Sequence, residues 1–411
     1  MAQGFASLLE LNGLLRAGKI RARDLLRQAA RDLQAEAGTG GAVRLLFLDE
    51  AMDAARGVER ELKRGRTRGI LQGAPFGVSD LLQTTGRAPS WDPGADPRGV
   101  EEAAAVSRLR SARAIPLALV AAEAFGGLAE GLRASEDACA TLIARGLLPF
   151  AVSLDFNGNV LRAALRRGCW AMRPAFGTIS GFGAAPLTWT LSAVAVLARA
   201  PDDCGHVLAA MSGGDSRCAH SPGRTFHFAP EYARPPRELR VADAGAGAEA
   251  REALERCGAA VTAAAKPQGL AVDILEVVIA AEACEALEDE LAASAQGLEY
   301  LEQARQLSAF EYLRAMRLRR GLQEWFYSSL QDVDAVIFAA EPQAVQEPEN
   351  GGSAAVFEWL ATALLAGAPV IAFGGGHGLP AFCLTGRAGS ENTILRLAGA
   401  MAAGAPGSEK S

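Results

Sequence analysis

The chain has 411 residues, 50% of them hydrophobic and 21% charged, with 45 glycines and a net charge of −6. That is a globular composition, long enough for one large domain or two ordinary ones. No apolar run reaches the ~18–20 residues a membrane span needs, and the negative balance disfavours general nucleic-acid binding. The N-terminal stretch carries Glu10 within a helical pattern and has no basic start, apolar block or cleavage pattern, so the reading is no signal peptide and a cytoplasmic location. Seven dispersed cysteines (139, 169, 204, 218, 257, 284 and 383) with no CxxC pair predict reduced thiols rather than a disulfide framework.

Taken in chain order, residues 6–34 read as two amphipathic helices with Leu8, Leu9, Leu11, Leu14 and Leu15 on one stripe. VRLLFLDE at 43–50 reads as a strand, and AMDAARGVERELKRG as a helix with an outer charged face. KRGRTRG at 63–69 is a solvated helix end. LQGAPFGVSDLLQTTG follows and places Val78, Ser79 and Asp80 at the edge of a short buried strand. EEAAAVSRLRSARA is a helix with acids first and arginines last, as the dipole prefers, and it runs into the strand IPLALVAA. Residues 138–146 read as a helix and 147–153 as a strand.

The stretch 171–200 reads as a loop-rich crossing, followed by the helix DDCGHVLAAMSG and a surface linker at 213–237. A small strand–helix–strand unit (LRVADA, EAREALERCG, AAVTAAA) precedes long helices over 270–331. VDAVIFAA, APVIAFG and GLPAFCLTGR are strands, VFEWLATALLAG and ENTILRLAGAMA are helices, and 406–411 is a frayed tail. Strands alternating with helices predict an α/β architecture with a covered sheet.

Few residues could carry chemistry. Cys218, His220 and His227 share one linker, but their spacing matches no common zinc pattern, so no metal is expected. FGGGHGLP at 373–380, with His377, connects two strands rather than opening a helix, which makes it a permissive turn rather than a phosphate cradle. No GxSxG elbow is present. One strand–turn–helix stands out: LDFNGNVLRAA at 154–164, an Asn-Gly bend of the kind that displays a nucleophile or gathers N–H groups around an anion. The residue displayed is Asn159, a carboxamide that cannot attack a carbonyl.

Nearly end to end and in order, the chain resembles the amidase signature family of serine hydrolases. LLELNGLLRAGKIRARDLL is similar to its N-terminal helices, and LQGAPFGVSDLLQTTG to its G-x-P-x-x-[VI]-K-D segment. EEAAAVSRLRSARAIPLAL resembles the VxRLRxAGAVxLGK helix–strand pair. LLPFAVSLDFNGNVLRAALRRGCWAMRPAFGTISGFGAAPLTW resembles the signature block GxDTGGSIRxPA…GLKPTxGRxSxxGxxPL. GLPAFCLTGRAGSENTILRLA resembles the family's terminal segment. The resemblance implies a single α/β domain over 1–405, a mixed twisted sheet covered by helices on both faces, with 222–330 a peripheral elaboration.

In this family a neutral lysine, a serine in a cis peptide and a nucleophilic serine relay a proton while turn N–H groups hold the oxyanion. Carried over, the lysine's place is Ser79, the cis-serine's place Ser135 and the nucleophile's place Asn159. Phe156, Asn157 and Gly158 fill the oxyanion-hole positions, Asp155 is kept, and the family arginine two after the nucleophile is Leu161. Around Ser135 the family's glycines are replaced by Arg133, Ala134, Asp137 and Ala138. The chain has only four lysines (19, 63, 266 and 410), none in the core strands that would face the turn. The resemblance with these replacements implies a catalytically degenerate pseudo-amidase, a scaffold or regulatory subunit or a small-ligand binder. The rival is an active amidase using Ser79, Ser135 or Cys139. Asn159 is then expected to cap the following helix through its side-chain oxygen. No cofactor is implied. The implied partners are another protein or a second copy, with the aromatic stretch 300–330 as the face, or a small amide or carboxylate, and neither nucleic acid nor a membrane.

Overall fold

The computed structural model describes residues 7–404, apart from 90, 93, 122–137, 222, 224, 268, 293–294, 340–351 and 377. Two helices open it, α1 (Leu8–Arg16) and α2 (Ala22–Gly40). Leu8, Leu11 and Leu15 are buried, but Leu9 is 68% exposed and Leu14 half-buried, because at about 100° per residue these two turn away from the stripe. Strand β1 (Val43–Leu46) is shorter than the sequence reading. Helix α3 (Leu48–Lys63) takes over, because Asp49 and Glu50 are better placed in a helix's first turn, against the positive end of its dipole, than in a strand.

Strand β2 (Pro75–Ser79), helix α4 (Ala104–Ser111), strand β3 (Ile115–Val120), helix α5 (Ala138–Ala144) and strand β4 (Phe150–Asp155) follow. Helix α6 (Asn159–Arg167) springs from the turn after β4. The stretch read as a loop-rich crossing contains two strands, β5 (Trp170–Arg173) and β6 (Ala193–Ala198). AVAVLA is a short apolar run with no polar alternation, the pattern of a strand covered on both sides.

Helix α7 (Pro201–Met211) leads to β7 (Arg240–Asp243), α8 (Ala248–Arg256) and β8 (Ala260–Ala263). Helices α9 (Ala271–Ala286), α10 (Glu288–Ala292), α11 (Ala295–Ala304) and α12 (Ala309–Ser329) come next. The chain closes with β9 (Ala335–Ala339), α13 (Gly352–Leu365), β10 (Val370–Gly376), β11 (Leu379–Thr385) and α14 (Glu391–Ala403). The tail 406–411 and His377 lie outside the described residues.

The strands form one mixed sheet in the order β1-β3-β2-β4-β6-β5-β10-β11-β9-β7-β8. β3, β2 and β4 run parallel, as do β9, β7 and β8, and the remaining pairs are antiparallel. All six residues of β4 and all six of β6 are buried. Since successive residues of a strand point to opposite faces, both faces of the central sheet are covered. β7 and β8 extend this same sheet beyond β9. A Cβ at Gly374 in β10 would lie 2.4 Å from the carbonyl oxygens of Ala164 and Leu165, so a side chain there would push β10 off the end of α6.

Candidate functional site

Because β3, β2 and β4 are parallel neighbours, their C-terminal ends share one rim of the sheet, where α/β folds generally place their sites. Ser79 is the last residue of β2 and is 1% exposed. Its Oγ accepts a long hydrogen bond from the Leu81 N–H (3.4 Å). Asp80, next along, pairs with Arg44. Ser135 lies outside the described residues, as do Arg133, Ala134 and Asp137. Ala138 opens α5, and Cys139 behind it is fully buried.

The turn after β4 is closed upon itself. Gly158 takes φ +83°, the left-handed conformation that suits glycine, and the helix starts at Asn159. The Asn159 carboxamide turns backward. Its Oδ1 accepts from the Phe156 N–H (3.1 Å) and its Nδ2 donates to the Leu154 carbonyl (3.1 Å). It is therefore not the helix cap that its position suggests. Capping falls to Asp155, whose carboxylate accepts from the Gly158 N–H (2.9 Å) and the Leu161 N–H (3.5 Å), and to Asn157, whose Oδ1 accepts from the Asn159 N–H (3.0 Å). The physical reason is reach. Asn159 is the first helical residue, one position too late to fold over the N–H groups that follow, whereas Asp155 looks up the helix axis from the strand end. Of the three oxyanion-hole-equivalent positions, the N–H groups of Phe156 and Gly158 are thus engaged by the chain's own side chains.

Asp155 is wholly buried and paired with Arg173 of β5, itself wholly buried, at 3.3 Å. Burial pushes the Asp155 carboxyl up, and Arg173 and the turn N–H groups pull it back. Arg173 also donates to the Leu191 carbonyl. Sequence reasoning did not single out Arg173, although an arginine inside the apolar run WAMRPAF signals a buried countercharge.

Arg162, one residue beyond the position of the family arginine, is 1% exposed. Its three guanidinium nitrogens have no hydrogen-bond partner among the described residues. It lies over the Phe357 ring at 5.7 Å from the centroid, and burial, with Arg166 nearby, pushes its ionisation down to about 9.

A cavity of about 290 Å³ opens at the same rim, lined by Leu154 of β4, Ala193 and Val194 of β6, and the loops between β5 and β6 and after α7. Its walls carry aromatic rings: Phe176 stands 5.4 Å from His220, and Trp189, 60% exposed, 6.3 Å from it. Thr188 Oγ1 reaches the Phe156 carbonyl (3.4 Å) and Ser192 Oγ (2.8 Å), which ties this wall to the turn. Arg217, also in the lining, is bonded to Asp215 and Glu101 and stacked on Phe182. Sequence reasoning missed Trp189, Thr188 and Ser192, which carry no motif of their own. Cys218 and His220 contribute to the cavity wall rather than to a metal site. Among the described residues no group of three His, Cys, Asp or Glu could hold a metal ion, and no helix is long and apolar enough to cross a membrane.

Of the lysines, Lys63 is exposed at the end of α3, Lys266 is exposed beyond β8, and Lys19 stands at the opposite rim of the sheet. Lys410 lies outside the described residues.

No family model matches the chain. In sequence it is similar to a glutamyl-tRNA(Gln) amidotransferase subunit of Symbiobacterium thermophilum, 26% identical over 240 residues, 53% of this chain and 49% of that protein. The corresponding protein of Halalkalibacterium halodurans is 24% identical over 233 residues, 51% of this chain and 47% of that one. The chain spans about half the length of the curated relatives it matches. In structure it is similar to the peptide amidase of Stenotrophomonas maltophilia, with a TM-score of 0.79 at 22% identity over 96% of both chains. A chain from a vestigial protein complex bearing on the origins of an s-triazine catabolic enzyme gives 0.83 at 21% identity, over 96% of this chain and 97% of that one.

Proposed function

Taking the chain as a member of the amidase signature family by sequence kinship and fold, we propose that it is a non-hydrolytic amidase-fold protein that holds a small amide or acid at the rim cavity without cleaving it. One observation carries this reading: the Asn159 carboxamide spends both its ends inside the turn. It occupies the Phe156 N–H that would otherwise be free to meet an oxyanion and presents no nucleophile. With Ser79 at the lysine's place, the described residues of that rim also lack the family's lysine base. A missing nucleophile and a missing base together leave at most what binding alone supplies, several powers of ten below a working site.

The cavity suits a flat, partly polar ligand. Phe176, His220 and Trp189 offer ring faces, and half-buried Ser192 offers a hydroxyl. Benzamide is a fitting probe. We expect it to bind, to bind at least tenfold more weakly to Trp189→Ala, and to release ammonia no faster than in buffer. Ammonia release at enzymatic rates, lost in Ser79→Ala, Ser135→Ala or Cys139→Ala, would establish the rival hydrolytic reading instead.

A second, compatible reading is a role within a larger assembly. Helix α12 leaves Phe310 85%, Leu313 52% and Leu318 41% exposed among exposed Arg314 and Arg317, a mixed face that a protein partner would cover. The amidotransferase relatives are themselves named as components of an assembly. If a second copy covers this face, Phe310→Glu should shift the sedimenting species towards monomer.

A further inference from the structure

A second cavity, of about 560 Å³, opens at the opposite rim. It is lined by Pro75 at the start of β2, Pro149 just before β4, Arg199 just after β6, and the first turns of α2. Strand β4 separates it from the turn by its six residues, roughly 20 Å.

Its walls are apolar along Leu25, Ala29, Leu147 and Pro149, and its polar groups are unequal. Asp24 is taken by Arg21 (2.6 Å) and Arg27 (3.2 Å). Asp32 accepts from Gln28 (2.9 Å), whose own oxygen accepts from Arg31 (2.7 Å). The other two cations are left over. Half-buried Arg199 and exposed Lys19 make no side-chain hydrogen bond or ion pair among the described residues. Asp203 and Glu10 act on Arg199 only through their fields.

We propose that this cavity binds an amphipathic organic carboxylate. Arg199 and Lys19 take the carboxylate, and Leu25, Ala29 and Leu147 cover the apolar body. A guanidinium presents a planar fork that matches a carboxylate, and the volume falls in the range of small-molecule sites. A bare inorganic anion would leave the apolar wall wet, and a neutral alkyl chain would leave both cations unanswered. The site is independent of the amide-binding reading, since no lining residue is shared with the rim cavity.

The test titrates the whole protein with decanoate, decanol and inorganic phosphate by calorimetry. The expected result is that decanoate binds at least tenfold more tightly than decanol and that phosphate neither binds nor displaces it. Arg199→Gln should weaken decanoate at least tenfold and Lys19→Gln about threefold, while benzamide binding at the other rim is unchanged. Ala29→Trp, which fills the wall, should abolish the decanoate heat. Lys19 is exposed, so its variant remains informative if Arg199→Gln fails to fold. Equal binding of decanol and decanoate, displacement by phosphate alone, or full decanoate affinity in both charge variants would overturn the proposal.

Discussion

The two rims of the central sheet treat their polar groups in opposite ways. At the C-terminal rim of β4, Asp155, Asn157 and Asn159 bind the N–H and carbonyl groups of their own turn, and Arg173 neutralises the buried acid. At the N-terminal rim, Arg199 and Lys19 stand without ion pairs among the described residues, and the Asp203 Oδ2 has no hydrogen-bond partner there. The rim whose turn resembles a reactive motif satisfies these polar groups from within the turn. The opposite rim keeps unspent charge. Ser79 and Asn159, two of the positions that an amidase-type motif would nominate, are 1% and 5% exposed.

The sharpest way to break the contrast is to remove its centre. Asp155→Ala takes the acceptor from the Gly158 and Leu161 N–H groups and strands the Arg173 cation in the core. The expected loss is about 3–5 kcal/mol of stability, read by urea denaturation. The opposite rim has its own large lever in Asp203, in the first turn of α7. It accepts the Leu8 N–H at 2.9 Å and is 2% exposed, and burial, with Asp202 adding to it, pushes its carboxyl from 3.8 up to about 7. A raised carboxyl means that the folded chain holds a proton the unfolded chain has released. Stability should therefore fall as pH rises from about 4 to about 7, by up to about 4 kcal/mol, and level off above. Asp203→Asn should flatten that slope in a series of melts across pH.

Next in size is the turn's own closure. Asn159→Ala leaves the Phe156 N–H and the Leu154 carbonyl unsatisfied in the interior, an expected cost of about 2 kcal/mol. Ser79→Lys with Asn159→Ser restores the family's residue types at two of the three catalytic places. We expect no ammonia release above buffer from that pair, because the Ser135 neighbourhood keeps Arg133, Ala134, Asp137 and Ala138 in place of the family's glycines. Brisk turnover would show that the altered stretch around Ser135 still works.

The sheet-and-helix alternation and the strand–turn–helix at 154–164 were legible in the sequence, as were the residue types, Ser79 and Asn159, at two positions that the family resemblance matches. Those features are local: hydrophobic periodicity, an Asn-Gly bend, a residue type at a motif position. What it hid depends on contacts between distant segments. β5 and β6 read as loop because a short run such as AVAVLA has no alternation until both sheet faces are known to be covered. The capping role went to Asp155 rather than Asn159 because a one-residue offset at the helix start is invisible without coordinates. Trp189 and His220 meet across 31 positions of sequence, and Arg199 with Lys19 across 180. No motif joins residues so far apart.

One residue at the closed rim defies the contrast, and it yields the smallest and most diagnostic prediction. Arg162 is as buried as Arg173, yet among the described residues its nitrogens have no acceptor, and the Phe357 face and the field of Asp155 are what offset the cost of burying the charge there. A cation over an aromatic ring recovers about 1–2 kcal/mol, less than the several kcal/mol that desolvating an ion costs. Arg162→Met keeps the length and apolar stem of the side chain and removes the charge, so it should raise stability by about 1 kcal/mol, read as a higher melting temperature. Because Arg162 holds no hydrogen bond in the turn, the same variant should leave benzamide binding where it was. A loss of stability instead would mean that the guanidinium is paired in solution, and the closed rim would then be as fully matched at Arg162 as it is at Arg173.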